Sequence, residues 1–281
     1  MNLSKRLMTA VNMVTEGFAV LDVGCDHAYT SIELVRKKSP CAVASDVRPG
    51  PLKAARDHIA EAGLEDKITT VLADGVPRNI LSLLPEKLPS TLVITGMGGM
   101  LIIKILSEAG GLIERFDELV LSPQSDIYEV RKYLLEHGYA FVDEAEILED
   151  GKFYTLMKVH HNTESAYIEM TSVQNELPDQ RRVASKYGSR QDEQPNLAPG
   201  MSKSENRQDC LRELISDAEL TYGPCLLRKK DKTLKAYLTK RRNVLTDIKE
   251  RLIESGRSTD DARVREIDEE LRIIDEAERY Y

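Results

Sequence analysis

The strongest constraint on this chain is an alternation in its first half. Apolar, β-branched runs at 19–24, 41–47, 68–74, 91–96 and 118–123 are separated by segments of helical period. Runs such as AVLDVG and TLVITG are apolar nearly throughout, the pattern of parallel strands buried on both faces. Between them apolar residues recur at steps of three and four, as at Leu52, Ala55, Ile59 and Ala62, long enough for right-handed crossovers packed on a sheet. The spacing predicts a doubly wound α/β domain. After a further helical stretch at 126–137 come two more apolar runs, 139–148 and 153–160, on either side of Glu149-Asp150-Gly151-Lys152. An Asp-Gly pair in that position is a hairpin signal, so the sheet is expected to be mainly parallel with an antiparallel end.

The remainder divides in two. From about 162 to 208 Ser, Gln, Asn, Asp, Glu, Pro and Gly dominate, a composition that buries too little apolar surface to offset the entropy of ordering, and 162–222 reads as a polar, partly mobile linker or insert. From 223 to 281 Gly223-Pro224 opens a long helical pattern. Apolar residues fall at Leu234, Leu238, Leu245, Ile248 and Leu252, then at Val264, Ile267, Leu271 and Ile274, with Gly256 and Thr259 between the two series. The simplest outcome is an antiparallel helical hairpin with a coiled-coil-like seam. The domain boundaries expected are therefore 1–161, 162–222 and 223–281.

The 281 residues suffice for one or two domains, and the net charge of -8 argues at first against a nucleic-acid partner. That average hides a local reversal. Arg228, Lys229, Lys230, Lys232, Lys235, Lys240, Arg241 and Arg242, with Lys249 and Arg251 behind them, face only Asp231, Asp247 and Glu250 over the same stretch, whereas 254–278 is acidic. A polyanion responds to the local field, so one face of the hairpin is a candidate RNA surface. No apolar stretch is long enough to span a bilayer, the beginning of the sequence lacks a secretion signal, and the protein is expected in the cytoplasm. Cys25, Cys41, Cys210 and Cys225 form no C-x-x-C pair, which speaks for reduced thiols and gives no metal site.

Chemistry is expected at the carboxyl ends of the strands, where doubly wound sheets bind their ligands. The first strand ends in Leu21-Asp22-Val23-Gly24-Cys25-Asp26-His27. A Gly there lets a ligand approach the backbone, but Asp26 and Ala28 stand where a pyrophosphate-binding G-x-G-x-x-G needs glycines. The second strand ends at Asp46-Val47, an acid placed to accept both hydroxyls of a ribose, and the third at Asp74-Gly75, an acid for the exocyclic amine of an adenine. Each acid alone reads more readily as a helix cap or turn former than as a ligand contact. Their order describes a pocket for S-adenosylmethionine. His27 taken alone reads as a structural hydrogen-bonder and Cys25 as a small buried filler. Thr95-Gly96-Met97-Gly98-Gly99-Met100 after the fourth strand predicts either unusual dihedrals or close approach of a planar substrate.

Together Leu3-Ser4-Lys5-Arg6-Leu7, Asp22 to Tyr29, Gly96-Met97-Gly98-Gly99, Leu121-Ser122-Pro123-Gln124, Glu149-Asp150-Gly151-Lys152 and Tyr222-Gly223-Pro224 resemble the bacterial tRNA (adenine-22-N1)-methyltransferases, the TrmK type. The resemblance covers nearly the whole chain apart from the polar segment. It implies a class I, Rossmann-like methyltransferase domain followed by a helical hairpin. It also implies S-adenosylmethionine as cofactor, tRNA as partner, and N1 of an adenine in the D-arm region as target. On the same ground Arg6 and Asp26 fall at positions tied to catalysis or target binding. Gly24, His27, Asp46, Asp74, Gly75 and Gly96 fall in the donor pocket, and their neighbours Asp22, Val47 and Met97 complete the expected cofactor set. The competing readings are a class I methyltransferase for a small molecule or protein with a dimerising hairpin, and a non-catalytic RNA-binding protein.

Overall fold

The computed structural model describes residues 3–161, 215–259 and 261–281. In chain order the elements are α1 (Lys5–Met13), β1 (Ala19–Val23), α2 (Tyr29–Lys37), β2 (Ala42–Asp46), α3 (Pro49–Ala62), β3 (Ile68–Leu72), α4 (Ile80–Leu83), β4 (Ser90–Met97), α5 (Gly99–Ala109), β5 (Glu118–Pro123), α6 (Ile127–Glu136), β6 (Tyr139–Glu149) and β7 (Lys152–His161). They are followed by α7 (Asp217–Tyr222), α8 (Pro224–Arg228), α9 (Lys232–Glu254) and α10 (Ala262–Glu278). The strands form one sheet in the order β3-β2-β1-β4-β5-β7-β6, parallel through β5 and antiparallel at β7 and β6. The chain winds outward from β1 to β3 and then returns to lay β4 on the other side of β1, so the topological switch point lies between β1 and β4.

Alternation of side chains across the sheet sorts the core into two layers. Val20, Ala42, Ala44, Val93 and Val120 meet Ala10 and Val11 of α1, Ile32 and Leu34 of α2, and Leu52, Ala55 and Ile59 of α3. The intervening residues Leu21, Val43, Leu92, Ile94, Leu119 and Leu121 are equally buried and point to the opposite face. There α5 and α6 supply Ile102, Ile105, Leu106, Val130 and Leu134. β3 departs from the expected pattern of fully buried strands: as the edge strand it leaves Leu72 56% exposed. The Asp150-Gly151 turn forms as read. Both residues have positive φ, 49° and 74°, as the tight connection between antiparallel β6 and β7 requires.

The C-terminal region corrects two boundaries. Residues 162–214 of the expected linker lie outside the described residues, but its last part is not linker: Asp217–Tyr222 is helical, opened by a capping box in which Ser216 Oγ accepts from Glu219 N and Glu219 returns a carboxylate to Ser216 N. The pattern after Gly223-Pro224 is not one helix either. It breaks at Lys229-Lys230-Asp231, where Lys230 takes φ 53°, and Asp231 caps α9 by accepting from Thr233 N and Leu234 N. α9 and α10 then pack antiparallel through Leu238, Leu245, Ile267 and Ile274, and Tyr222, Leu226 and Leu227 extend that cluster. No described helix is long and apolar enough to cross a membrane.

Candidate active site

At the β1/β4 switch point a cleft of about 580 Å³ opens over the carboxyl ends of the strands. All eleven residues singled out from the sequence line it: Arg6, Asp22, Gly24, Asp26, His27, Asp46, Val47, Asp74, Gly75, Gly96 and Met97.

β1 delivers the chain into a strained turn. Gly24 N and Cys25 N both donate to Ser45 O, at 2.8 and 2.9 Å, which ties the turn to the end of β2. Gly24 has φ 73°, a conformation that favours glycine, and the methyl group of Met97 lies where a Cβ would stand. Asp26 and Ala28 follow at φ 50° and 57°, positions that cost an L-residue about 1 kcal/mol each and persist where the surroundings hold them. Here the surroundings include α3. His58 Nδ1 donates to the carbonyl of His27 at 3.2 Å, which leaves His58 Nε2 to accept from Tyr29 Oη, also at 3.2 Å. The His27 ring lies against Tyr29 and His58, with centroids 5.6 and 5.5 Å away.

The reading of His27 as a structural hydrogen-bonder holds for its carbonyl and not for its ring, whose Nδ1 is buried without a hydrogen-bond partner among the described residues. Cys25 is the small buried filler expected, 7% exposed in the core, with its thiol pushed up by burial and then by the carboxylates of Asp22, Asp46 and Asp26.

The three acids from the strand ends differ in environment. Asp46 is 4% exposed; its Oδ2 accepts from Asp26 N at 3.3 Å and its Oδ1 from Arg48 N at 2.9 Å. It is thus a turn former and a buried carboxylate on the cleft wall at once. Asp74 is exposed at the rim. Asp22 is buried beneath the floor and accepts from Ser31 Oγ at 2.7 Å. Burial, with a smaller push from the Asp46 carboxylate, raises its carboxyl to about 6 against the hydrogen bonds from Ser31. Asp26 points outward, 57% exposed, with His27 Nε2 at 3.7 Å and Arg48 Nη2 at 3.8 Å.

The glycine-rich segment after β4 serves two purposes. Gly96, at φ 78°, bares its backbone to Arg6: a Cβ there would lie 3.2 Å from Arg6 Nη1 and 3.8 Å from Gln124 Nε2. Gly99 does not line the cleft; a Cβ there would strike the Ser125 carbonyl and Val130. The unusual-dihedral reading therefore holds for Gly96, whose open side is taken by Arg6, while Gly99 is small so that α5 can pack on the loop before α6. Arg48, Tyr29, His58 and Gln124 were not singled out from the sequence as site residues.

The family profile described as a methyltransferase domain matches residues 3–157. A tRNA (adenine(22)-N(1))-methyltransferase of Bacillus subtilis is 31% identical over 158 residues, 56% of this chain and 64% of that protein. A putative tRNA methyltransferase of Mycoplasma pneumoniae is 31% identical over 160 residues, 56% of this chain and 71% of that protein. The chain belongs to the TrmK-type methyltransferase family. The match spans less than two thirds of the Bacillus relative's length. Among solved structures, a putative tRNA (m1A22) methyltransferase of Streptococcus pneumoniae superposes with a TM-score of 0.71 at 25% identity, covering 98% of this chain and 99% of that one. The same Streptococcus protein has been solved with S-adenosyl-L-methionine. In this TrmK-type chain, then, both the methyltransferase domain and the C-terminal helices have structural counterparts, and the cleft lies within the span that the family profile matches.

Proposed function

We propose that the chain transfers a methyl group from S-adenosylmethionine to N1 of an adenine in tRNA, adenine 22 in the D-arm region. The observation that carries this reading is the convergence of the expected residues on one cleft at the switch point of a TrmK-type domain. The residues fit such a donor. Gly24 carries the turn at positive φ and lets Met97 lie against its backbone at the cleft, Asp46 offers a buried carboxylate for ribose hydroxyls, and Asp74 offers an exposed one for an adenine amine. The bound donor would supply an electrophilic methyl group on a sulfonium.

N1 of neutral adenine already carries a lone pair in the ring plane, so no residue has to remove a proton before reaction. The work left to the protein is to hold and orient the base, exclude water, and balance the positive charge the ring acquires. Asp26 suits the last of these roles. Its carboxylate stands exposed at the cleft mouth beside His27 and Arg48, on a turn held by Asp46 and His58, and it would accept an N6 proton from the methylated ring. N1 is hidden in a paired or stacked stem, so the base must be everted at a cost of a few kcal/mol. Phosphate contacts offset that cost, and because they carry little sequence information, recognition rests on tRNA shape.

The RNA surface of α8 and α9 is narrower than the run of basic residues suggests. Arg228 pairs with Glu219, Lys229 with Asp143, Arg241 with Glu270, and Arg242 with Asp275 and Glu278. Lys230, Lys232, Lys235 and Lys240 have no ion pair among the described residues, and we assign the phosphate contacts to them, with Lys5 and Arg6 at the cleft. The test is mass spectrometry of tRNA nucleosides after incubation with enzyme and donor. A donor-dependent 1-methyladenosine at position 22 is expected, and total tRNA left without that nucleoside overturns the reading.

A further inference from the structure

Arg6 comes from the first turn of α1, started by Ser4, whose Oγ accepts from Leu7 N at 3.3 Å. Its guanidinium carbon sits 5.2 Å above the centroid of the Tyr154 ring, and its Nη1 approaches the bared backbone of Gly96. The guanidinium therefore fills a slot bordered by an aromatic ring and by a side-chain-free strand end. The aromatic wall offers a planar ring a face on which to stack.

Two observations mark Arg6 as a poor permanent occupant. Its Nη1 is buried and has no hydrogen-bond partner among the described residues, a state that costs a charged donor its hydration without replacing it. Nor does any carboxylate among the described residues pair with it: Glu149, nearby in sequence to Tyr154, accepts from the backbone amide of Lys5 instead. Tyr154 is half-buried on β7 near the carboxyl end of β5, with its hydroxyl free of hydrogen bonds among the described residues. Arg6 lines the cleft and covers the ring. Gln124, whose amide nitrogen lies beside Gly96 and whose backbone N donates to Met97 O at 2.8 Å, closes the slot at its edge.

We propose that the Tyr154 ring is the stacking platform for the acceptor purine, and that the Arg6 guanidinium holds the purine's place until RNA arrives. An everted base entering beside Gly96 stacks on Tyr154 and displaces Arg6, whose unpartnered Nη1 then gains an acceptor on the same nucleotide. A planar cation over an aromatic ring is exchanged for a planar base over that ring, so entry leaves the platform covered throughout. This inference rests on the methyl-transfer reading and adds the residue that receives the base.

The test uses the full chain and two variants, Tyr154→Leu and Tyr154→Phe, with two readouts. One is kcat/KM for tRNA at saturating donor, alongside calorimetric binding of the donor alone. The other is the emission of an RNA carrying 2-aminopurine at the acceptor position. Tyr154→Leu is expected to lose about tenfold or more in kcat/KM, the scale of one base–aromatic stack. Its donor affinity should stay within about twofold, which also shows that the variant is folded, and Tyr154→Phe should recover most of the loss. Saturated wild type should quench 2-aminopurine more strongly than the Leu variant. Equal kcat/KM for Leu and Phe with an active wild type removes the platform while leaving the methyl-transfer reading in place. A wild-type chain that neither methylates the RNA nor changes the 2-aminopurine emission overturns both.

Discussion

Arg131 Nε donates to Glu144 Oε1 at 2.9 Å, and the two side chains are 1% and 0% exposed. The pair also joins the C-terminal helices to the sheet. Arg131 Nη1 donates to the carbonyls of Leu220 and Thr221 at the end of α7, at 3.1 and 2.7 Å, while Glu144 Oε2 accepts from Cys225 N at the start of α8, at 3.0 Å. Groups that helix ends leave without partners are thereby satisfied by a buried ion pair. Gly223, between the two helices, has φ 98°, and a Cβ on it would collide with the Glu144 carboxylate.

Removing one partner strands the other charge. Arg131→Met or Glu144→Leu is expected to cost about 3 to 5 kcal/mol in urea unfolding, with little relief from added salt because the site is shielded from solvent. A loss below about 1 kcal/mol in either variant would show that the junction is not held this way.

Glu146 gives stability a pH dependence. It is 7% exposed and accepts from Thr155 Oγ1; burial pushes its carboxyl up to about 7, partly opposed by that hydrogen bond and by Arg131, with Asp231 and Glu144 adding to the rise. The folded pKa exceeds the unfolded one, so between about pH 4.5 and 7 the folded chain keeps a proton that the unfolded chain releases. Stability therefore falls as pH rises through that window, by up to about 3 kcal/mol. Glu146→Gln keeps an acceptor for Thr155 and should flatten this fall. Guanidinium melts at pH 5 and pH 8 check it, and an identical pH slope in the two proteins would contradict the assignment.

Asp26→Ala should bind S-adenosylmethionine within a few fold of wild type and lose most methyl transfer, since the carboxylate faces outward while Asp46 holds the turn beneath it. Donor titration and a tRNA methylation assay separate the two effects. Undiminished turnover would remove Asp26 from the chemistry.

The lysines and arginines of α9 should behave differently. Reversing Lys232, Lys235 and Lys240 to Glu is expected to weaken tRNA binding and lower its salt slope by about one for each phosphate no longer neutralised. Arg241→Ala and Arg242→Ala, which break pairs with α10, should lower stability by roughly 0.2 to 1 kcal/mol per exposed pair and leave the salt slope alone. An unchanged slope after the triple reversal would assign α9 to packing only.

The strands were legible because each is a short run with turn residues at its ends, and the cleft residues because the switch-point rule says where such runs point. Arg131 and Glu144 were not legible. One lies in a helical period and the other in a polar stretch of β6, and only tertiary packing makes them partners. The same holds for His58, an ordinary helix residue until α3 brings it under His27. The basic run misled in degree because the acids that neutralise Arg241, Arg242 and Lys249 arrive from the antiparallel helix, 19 to 36 residues further along. The start of α7 was hidden in polar composition, since a capping box is itself built from polar residues.

Arg6 and Tyr154 meet across nearly the whole catalytic domain, the first helix against the seventh strand. A nascent chain on the ribosome consequently has no finished acceptor side while that strand is still in the exit tunnel. The turns after β1 and β2 are synthesised early, whereas the ring we assign to the base arrives only with the last strand made, and the basic helix α9 later still, so the two halves of the proposed RNA contact are completed in separate steps.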